Sequence, residues 1–181
     1  MERQELIELY KKGQRYFGRF DLRSMDLSNV DLSGADFTNA LMNSCLIGAN
    51  LAGADLTGVS FAKASLVYAN LTKAILRKAN LYFASFRCAD LTGADLRGAN
   101  LENTELVQAN LSGSDLRGAN LVGTKLIGSN LTGCDLRETN LRGVNLCDAN
   151  LSQANLEGVS LRGMYFCNTI MPDGSIRNDN C

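Results

Sequence analysis

The side chains that most often do chemistry are absent or poorly spaced in this chain of 181 residues. There is no His, which excludes Ser-His and Cys-His catalysis and imidazole metal sites. The six cysteines (Cys45, Cys88, Cys134, Cys147, Cys167 and Cys181) contain no C-x-x-C pair and no zinc spacing. No catalytic residue, metal site or cofactor is therefore assigned. Charge, by contrast, is spaced regularly. Arg77, Arg97, Arg117 and Arg137 recur every 20 residues, and Asp95, Asp115 and Asp135 stand two residues before the last three of them. A row of arginines alone would suit an anion. The interleaved carboxylates neutralise it, so this ladder reads as structural charge pairing. Thr72, Thr92, Ser112, Thr132 and Ser152 form a second series with the same period. A hydroxyl rank is the chemistry of an ice-binding face, but here it is a single rank beside Asn and Asp, which disfavours that reading.

Composition narrows the classes further. Lys plus Arg is 18 and Asp plus Glu is 19, a net charge of −1. A nucleic-acid binder needs clustered positive charge, and a protein that imitates DNA needs a strongly acidic surface. The apolar fraction of 45% is that of an ordinary globular chain. No segment approaches the ~18 consecutive apolar residues of a membrane span. The first residues, MERQELIELYKKGQ, are charged throughout and lack the apolar stretch of a secretory signal. A cytoplasmic location with reduced thiols is the expectation.

The elements that must position these charges come from a repeat. From Leu46 to Phe166 every fifth residue is Leu or Phe, at 25 consecutive positions. Calling this position i, residue i−2 is Ala at 14 of the 25 and otherwise mostly small, and i−1 is mostly Asn, Asp or Ser. An α-helix would spread such leucines around its whole circumference, leaving no apolar stripe. A continuous strand would alternate them between its faces, because five is odd. The chain must instead turn once per unit. A three-residue strand points i−2 and i inward and i−1 outward, and residues i+1 and i+2 make the turn. Units that turn the same way close into coils, and coils stack into a solenoid. Charge and hydroxyl ladders with period 20, and none with period 15, indicate four units per coil. An earlier block (Leu22, Leu27, Leu32, Phe37) runs one residue out of register with the later one, which predicts a four-residue unit between 37 and 46.

Runs such as ADLTGADLRGANL (89–101) and SDLRGANL (114–121) resemble the pentapeptide repeat family, in particular its cyanobacterial members. The resemblance extends over about residues 20–171. It implies an all-β solenoid, a right-handed quadrilateral parallel β-helix, with about seven to eight coils and a length of about 36 Å at strand spacing. The expected organisation is an N-terminal capping α-helix over 1–13, the β-helix over 14–171, and a C-terminal turn and tail over 172–181. The helix, with Leu6, Ile7, Leu9 and Tyr10 on its apolar side, should cover the open edge of the first coil. Tyr16, Phe17 and Phe20 should fill the wider layer beneath it.

A core packed with Leu and Ala leaves no small-molecule pocket, so function belongs to the outer faces. One face departs from the pattern. Its i−1 residues are Cys45, Ser65, Ser85, Glu105, Lys125, Asn145 and Tyr165, and its i+1 residues include Ile47, Val67, Val107 and Ile127. Tyr68, Tyr82 and Phe83 stand at its edges. An apolar strip flanked by aromatic residues marks a candidate interaction face. Cys147 and Cys167 occupy equivalent positions one coil apart, which is compatible with a disulfide or with two thiols. The reading is a non-enzymatic scaffold that presents a rigid face to a protein partner. Nucleic acid, membrane and small-molecule substrate are not expected. A homodimer through a coil end or through the apolar face is compatible with it. The alternatives are a regulator that imitates DNA and binds DNA gyrase, which the net charge and the absence of loop insertions disfavour, and the ice-binding face.

Overall fold

The five-residue unit folds as one bridge and one turn. In a computed structural model that describes residues 1–179 and 181, residue i−1 forms an isolated parallel bridge to its counterpart one coil on, as in Asn80↔Asn100 and Asp95↔Asp115. Beside each bridge the amide of i donates to the next coil (Leu91 N to Asn110 O, 2.7 Å), and the amide of i−1 donates to the previous one (Asp90 N to Ala69 O, 2.9 Å). The chain then reverses through a β-turn closed by a bond such as Ala89 N to Phe86 O, 3.0 Å. The third residue of that turn has positive φ (Cys88, φ 55), as a type II turn requires. The expected three-residue strand is thus contracted to one bridging residue, because the four-residue turn takes in the positions on both sides of it.

Bridges link residues 20 apart from Cys45↔Ser65 onward, so four units make a coil. Asp26↔Cys45, Asp31↔Asn50, Asp36↔Asp55 and Leu41↔Ser60 are each 19 apart, which places the four-residue unit between Leu41 and Cys45. There the Ser44 hydroxyl donates to the Leu22 carbonyl at 2.6 Å. Inside the stack the Leu or Phe at i and the small residue at i−2 are buried along nearly the whole length. Small polar residues are accepted at i−2 because their hydroxyls find carbonyls. Thr104 donates to Leu81 O and Thr124 to Leu101 O, both at 2.8 Å. Toward the C-terminal end Leu156 and Leu161 are only half-buried.

Helix α1, Arg3–Lys11, opens with a capping box between Glu2 and Glu5. Its Leu6 is fully buried against the first coil. Two side chains tie it to the coil edge: Arg3 Nε donates to Asp26 O at 2.6 Å, and Tyr10 OH donates to Ser33 O at 2.8 Å. Of the three aromatic residues expected in the layer beneath, only Phe17 is buried, stacked on Phe37 at 5.5 Å; Tyr16 and Phe20 lie exposed. Leu6 and the Phe17 ring cover the first coil, and Phe20 packs at its margin with its ring centre 6.2 Å from that of Phe17.

At the other end β1, Thr169–Ile170, pairs antiparallel with β2, Ile176–Arg177. The Arg177 guanidinium lies over the Phe166 ring at 3.9 Å. Cys167 is bonded to Cys181, with Cα atoms 5.0 Å apart, and Cys147 is a free thiol. The tail folds back over the last coil and brings Cys181 to Cys167, so the stacked cysteine one coil away is left out. Asn180, within the tail segment 172–181, lies outside the described residues.

Candidate interaction surface

The most regular polar side of the rod is closed on itself. Asp95 accepts a two-pronged contact from Arg97 of its own unit (Nε 2.9 Å, Nη2 2.7 Å) and the Nε of Arg77 from the coil before at 2.5 Å. Arg117 and Arg137 hold Asp115 and Asp135 with the same fork. Arg97 reaches on to Asp115, and Arg117 to Asp135, both at 3.5 Å. Arg77, Arg97, Arg117 and Arg137 therefore alternate in one continuous network with Asp95, Asp115 and Asp135. Arg97 foremost, and Arg77 after it, hold the Asp95 carboxyl at about 2, below its ordinary 3.8. Asp115 and Asp135 are lowered in the same way, chiefly by Arg117 and Arg137. A depressed carboxylate pKa stabilises fully above the unfolded-state value and ceases to do so as pH falls through the folded-state value. The melting temperature is therefore expected to fall between about pH 4 and about pH 2, the window set by the Asp95 values. Asp95→Asn should flatten that fall. An unchanged slope in a pH series of melting curves would remove the ladder from the stability of the rod.

The Asn and Thr ladders are also spent internally. Asn130 Nδ2 donates to Asn110 Oδ1 at 3.1 Å, and the Asn110 carbonyl also accepts the Ser112 amide at 3.2 Å. The hydroxyls of Thr72, Thr132 and Ser152 each donate to the Asn two residues earlier, at 2.6–2.8 Å. These protons are committed within the unit, which leaves the rank poorly suited to ordering a water lattice. Among the described residues the core contains a void of only about 10 Å³, between the last leucines and Met164. That is less than a small molecule needs. Burial pushes the Cys134 thiol up, so this core cysteine is unreactive.

The irregular face is placed as follows. Ile47, Val67, Arg87, Val107, Ile127 and Cys147 form one column, with neighbouring coils joined by bonds such as Gly48 N to Val67 O (2.9 Å) and Gln108 N to Ile127 O (2.9 Å). Ile47 is 40% exposed, whereas Val67, Val107 and Ile127 are half-buried. Arg87 interrupts the column, so the apolar strip is two patches rather than one. Tyr82 and Phe83 meet edge to face, ring centres 4.5 Å apart, at one edge of the face. Tyr68 stands at the opposite edge and is 68% exposed. Glu105 and Lys125 pair at 2.9 Å across the middle.

Whole-chain charge concealed one further feature, a cationic band that runs around the rod and crosses this side. Between Asp55 and Asp90 there is no Asp or Glu, yet Lys63, Lys73, Arg77, Lys78 and Arg87 fall in that stretch. Arg77 is paired with Asp95. Among the described residues Lys63, Lys73, Lys78 and Arg87 have no ion-pair partner within 4.0 Å. A running local charge, in place of the total, would have found the band.

Comparison with known proteins agrees with this architecture. A family model described as pentapeptide repeats matches in 8 copies, with residues 16–43, 44–81, 64–103, 94–133, 125–163 and 134–171 matched. Among solved structures, the chain is similar to HetL, a pentapeptide repeat protein involved in heterocyst differentiation regulation from the cyanobacterium Nostoc sp. strain PCC 7120. Identity is 31%, covering 98% of this chain and 100% of that one, with a TM-score of 0.31. It is also similar to a trypsin-treated form of QnrB1, a plasmid-mediated fluoroquinolone resistance protein, at 22% identity over 83% of this chain and 79% of that one, with a TM-score of 0.51. Rfr23, from the cyanobacterium Cyanothece 51142, shares 25% identity over 90% of this chain and 97% of its own, with a TM-score of 0.27. A comparison with curated proteins returned no match. Eight repeat copies laid along a stack of four-unit coils make the chain a member of the pentapeptide repeat family.

Proposed function

We propose that this chain is a right-handed quadrilateral β-helix that works as a non-enzymatic scaffold, offering its irregular face to a protein partner. The observation that carries the reading is a contrast between sides. The Asp–Arg side and the Asn–Thr side consume their polar groups internally, whereas the irregular side leaves Ile47, Tyr68 and Phe83 at 40%, 68% and 51% exposure. The inward residues of that side are as well packed as the others, so core formation does not account for the difference. Apolar surface of this kind is removed from water only by a partner. Val107→Lys with Ile127→Glu is expected to leave the melting temperature nearly unchanged, because surface substitutions away from special features cost about 0.5 kcal/mol or less. The same pair should weaken capture of a partner from native cells, or a self-association seen by light scattering. A large loss of stability with no change in association would assign these residues a structural role only.

A further inference from the structure

We propose that the corner built by Lys63 and Phe83 binds an acidic protein segment, in which a few carboxylates flank an aromatic or apolar side chain. This inference rests on the interaction reading above and names the chemistry of the partner for the same side of the rod. Lys63 and Phe83 occupy the same corner in successive coils, joined through Lys63 N to Tyr82 O at 2.9 Å. Tyr82 and Lys78 lie on one side of that corner, and Arg87 on the other, within ten residues of chain. Lys63, Lys78, Phe83 and Arg87 are all exposed. The ladder arginines carry their own carboxylates, and these three cations do not. Their charge is thus available to a carboxylate from outside, next to an exposed aromatic ring.

The backbone of the same stretch departs from the glycine habit of its neighbours. Six consecutive turns, at Lys63, Tyr68, Lys73, Lys78, Phe83 and Cys88, have φ between 54 and 61 with neither Gly nor Asn at the left-handed position. The turns just before and after them use Gly48, Gly53, Gly58, Gly93 and Gly98. A bulky L-residue is disfavoured in that region, and glycine is not. The same left-handed turn position also carries Arg19, Ser24, Gln108, Glu138 and Gln153 elsewhere in the rod, so what marks this stretch is the unbroken run of side chains where its neighbours have glycine.

The extent of the patch selects the partner. It is two coils high, about 10 Å at strand spacing. The next coil presents Glu102 and Glu105 beside the same corner. A nucleic-acid strand, charged at every nucleotide, would run onto those carboxylates. A short acidic segment ends before it meets them. An aromatic anchor ringed by complementary charge is a common design of a specific interface.

The test uses the full chain with three labelled probes: a random copolymer of glutamate and tyrosine, polyglutamate, and a thymidine oligonucleotide. Fluorescence anisotropy should show the copolymer bound most tightly, with binding that weakens as salt is raised. Lys63→Gly combined with Lys78→Gly and Arg87→Gln should weaken copolymer binding by about tenfold or more. Its melting temperature should hold or rise, because two left-handed lysines become glycine. Arg87→Gln alone, at an unstrained position, guards against a folding defect and should weaken binding in the same direction. Copolymer binding that is unchanged in both variants overturns the proposal. Tighter binding of the oligonucleotide than of the copolymer also overturns it and assigns the corner to nucleic acid. Neither result touches the broader face reading, which stands or falls on the Val107/Ile127 pair.

Discussion

Leu116→Ala is expected to destabilise the rod by about 2–5 kcal/mol, the range for deleting a buried leucine side chain from a close-packed core. Leu116 is fully buried, and its neighbours in the stack, Leu96 and Leu136, are buried as well. Each coil is fixed from both sides by backbone bonds, such as Leu96 N to Asp115 O and Leu116 N to Asp135 O, so the coils cannot collapse far into the vacated volume. The complementary change, Ala99→Leu, should cost about 1–3 kcal/mol, because position i−2 has no room for three further carbons. Chemical denaturation of both variants checks the pair. Wild-type midpoints in both would refute a core built from two inward positions per unit.

Removal of residues 1–13 is the second large change. Helix α1 covers the first coil with Leu6 and satisfies two edge carbonyls, Asp26 O through Arg3 and Ser33 O through Tyr10. Without it, an apolar coil end and a row of unsatisfied strand-edge groups face water together, which is the combination that templates edge-to-edge association. The truncated chain should keep its β-type circular dichroism but associate in a concentration-dependent way, seen as added mass in light scattering. A truncated chain that stays monomeric with an unchanged melting temperature would deny α1 its capping role.

Much of this architecture was legible because the repeat states it many times. The inward Leu and Ala, the four units per coil and the one-residue offset near Met42 all follow from counting positions, and the bridges fall where the counting puts them. The strand length did not follow, because apolar spacing reports which way a side chain points and says nothing about how much of the unit its turn consumes. The pairing of Cys167 with Cys181 lay outside the period altogether, since the tail carries no repeat from which its path could be read. Periodicity likewise favoured Val107 and Ile127 and passed over Lys63 and Lys78. Those lysines break the Gly habit of their turns, and a break in a pattern is easily taken for noise. The total charge of −1 averaged the cationic band away.

The short unit between Leu41 and Cys45 has a consequence for how such a chain finds its alignment. Interchangeable units can pair one step out of place, and each leucine will still meet a leucine. Slippage of that kind would produce many near-equal states in place of one native state. A single four-residue unit acts as an index mark, because a slipped pairing sets it against a five-residue neighbour and leaves an inward side chain facing out. The coils before the mark, with the Phe17–Phe37 stack, have one seat only. The 20-residue coils after it are alike, and whole coils can be gained or lost there without disturbing the mark. The length of the rod and the identity of its starting point are thus set by different parts of the chain.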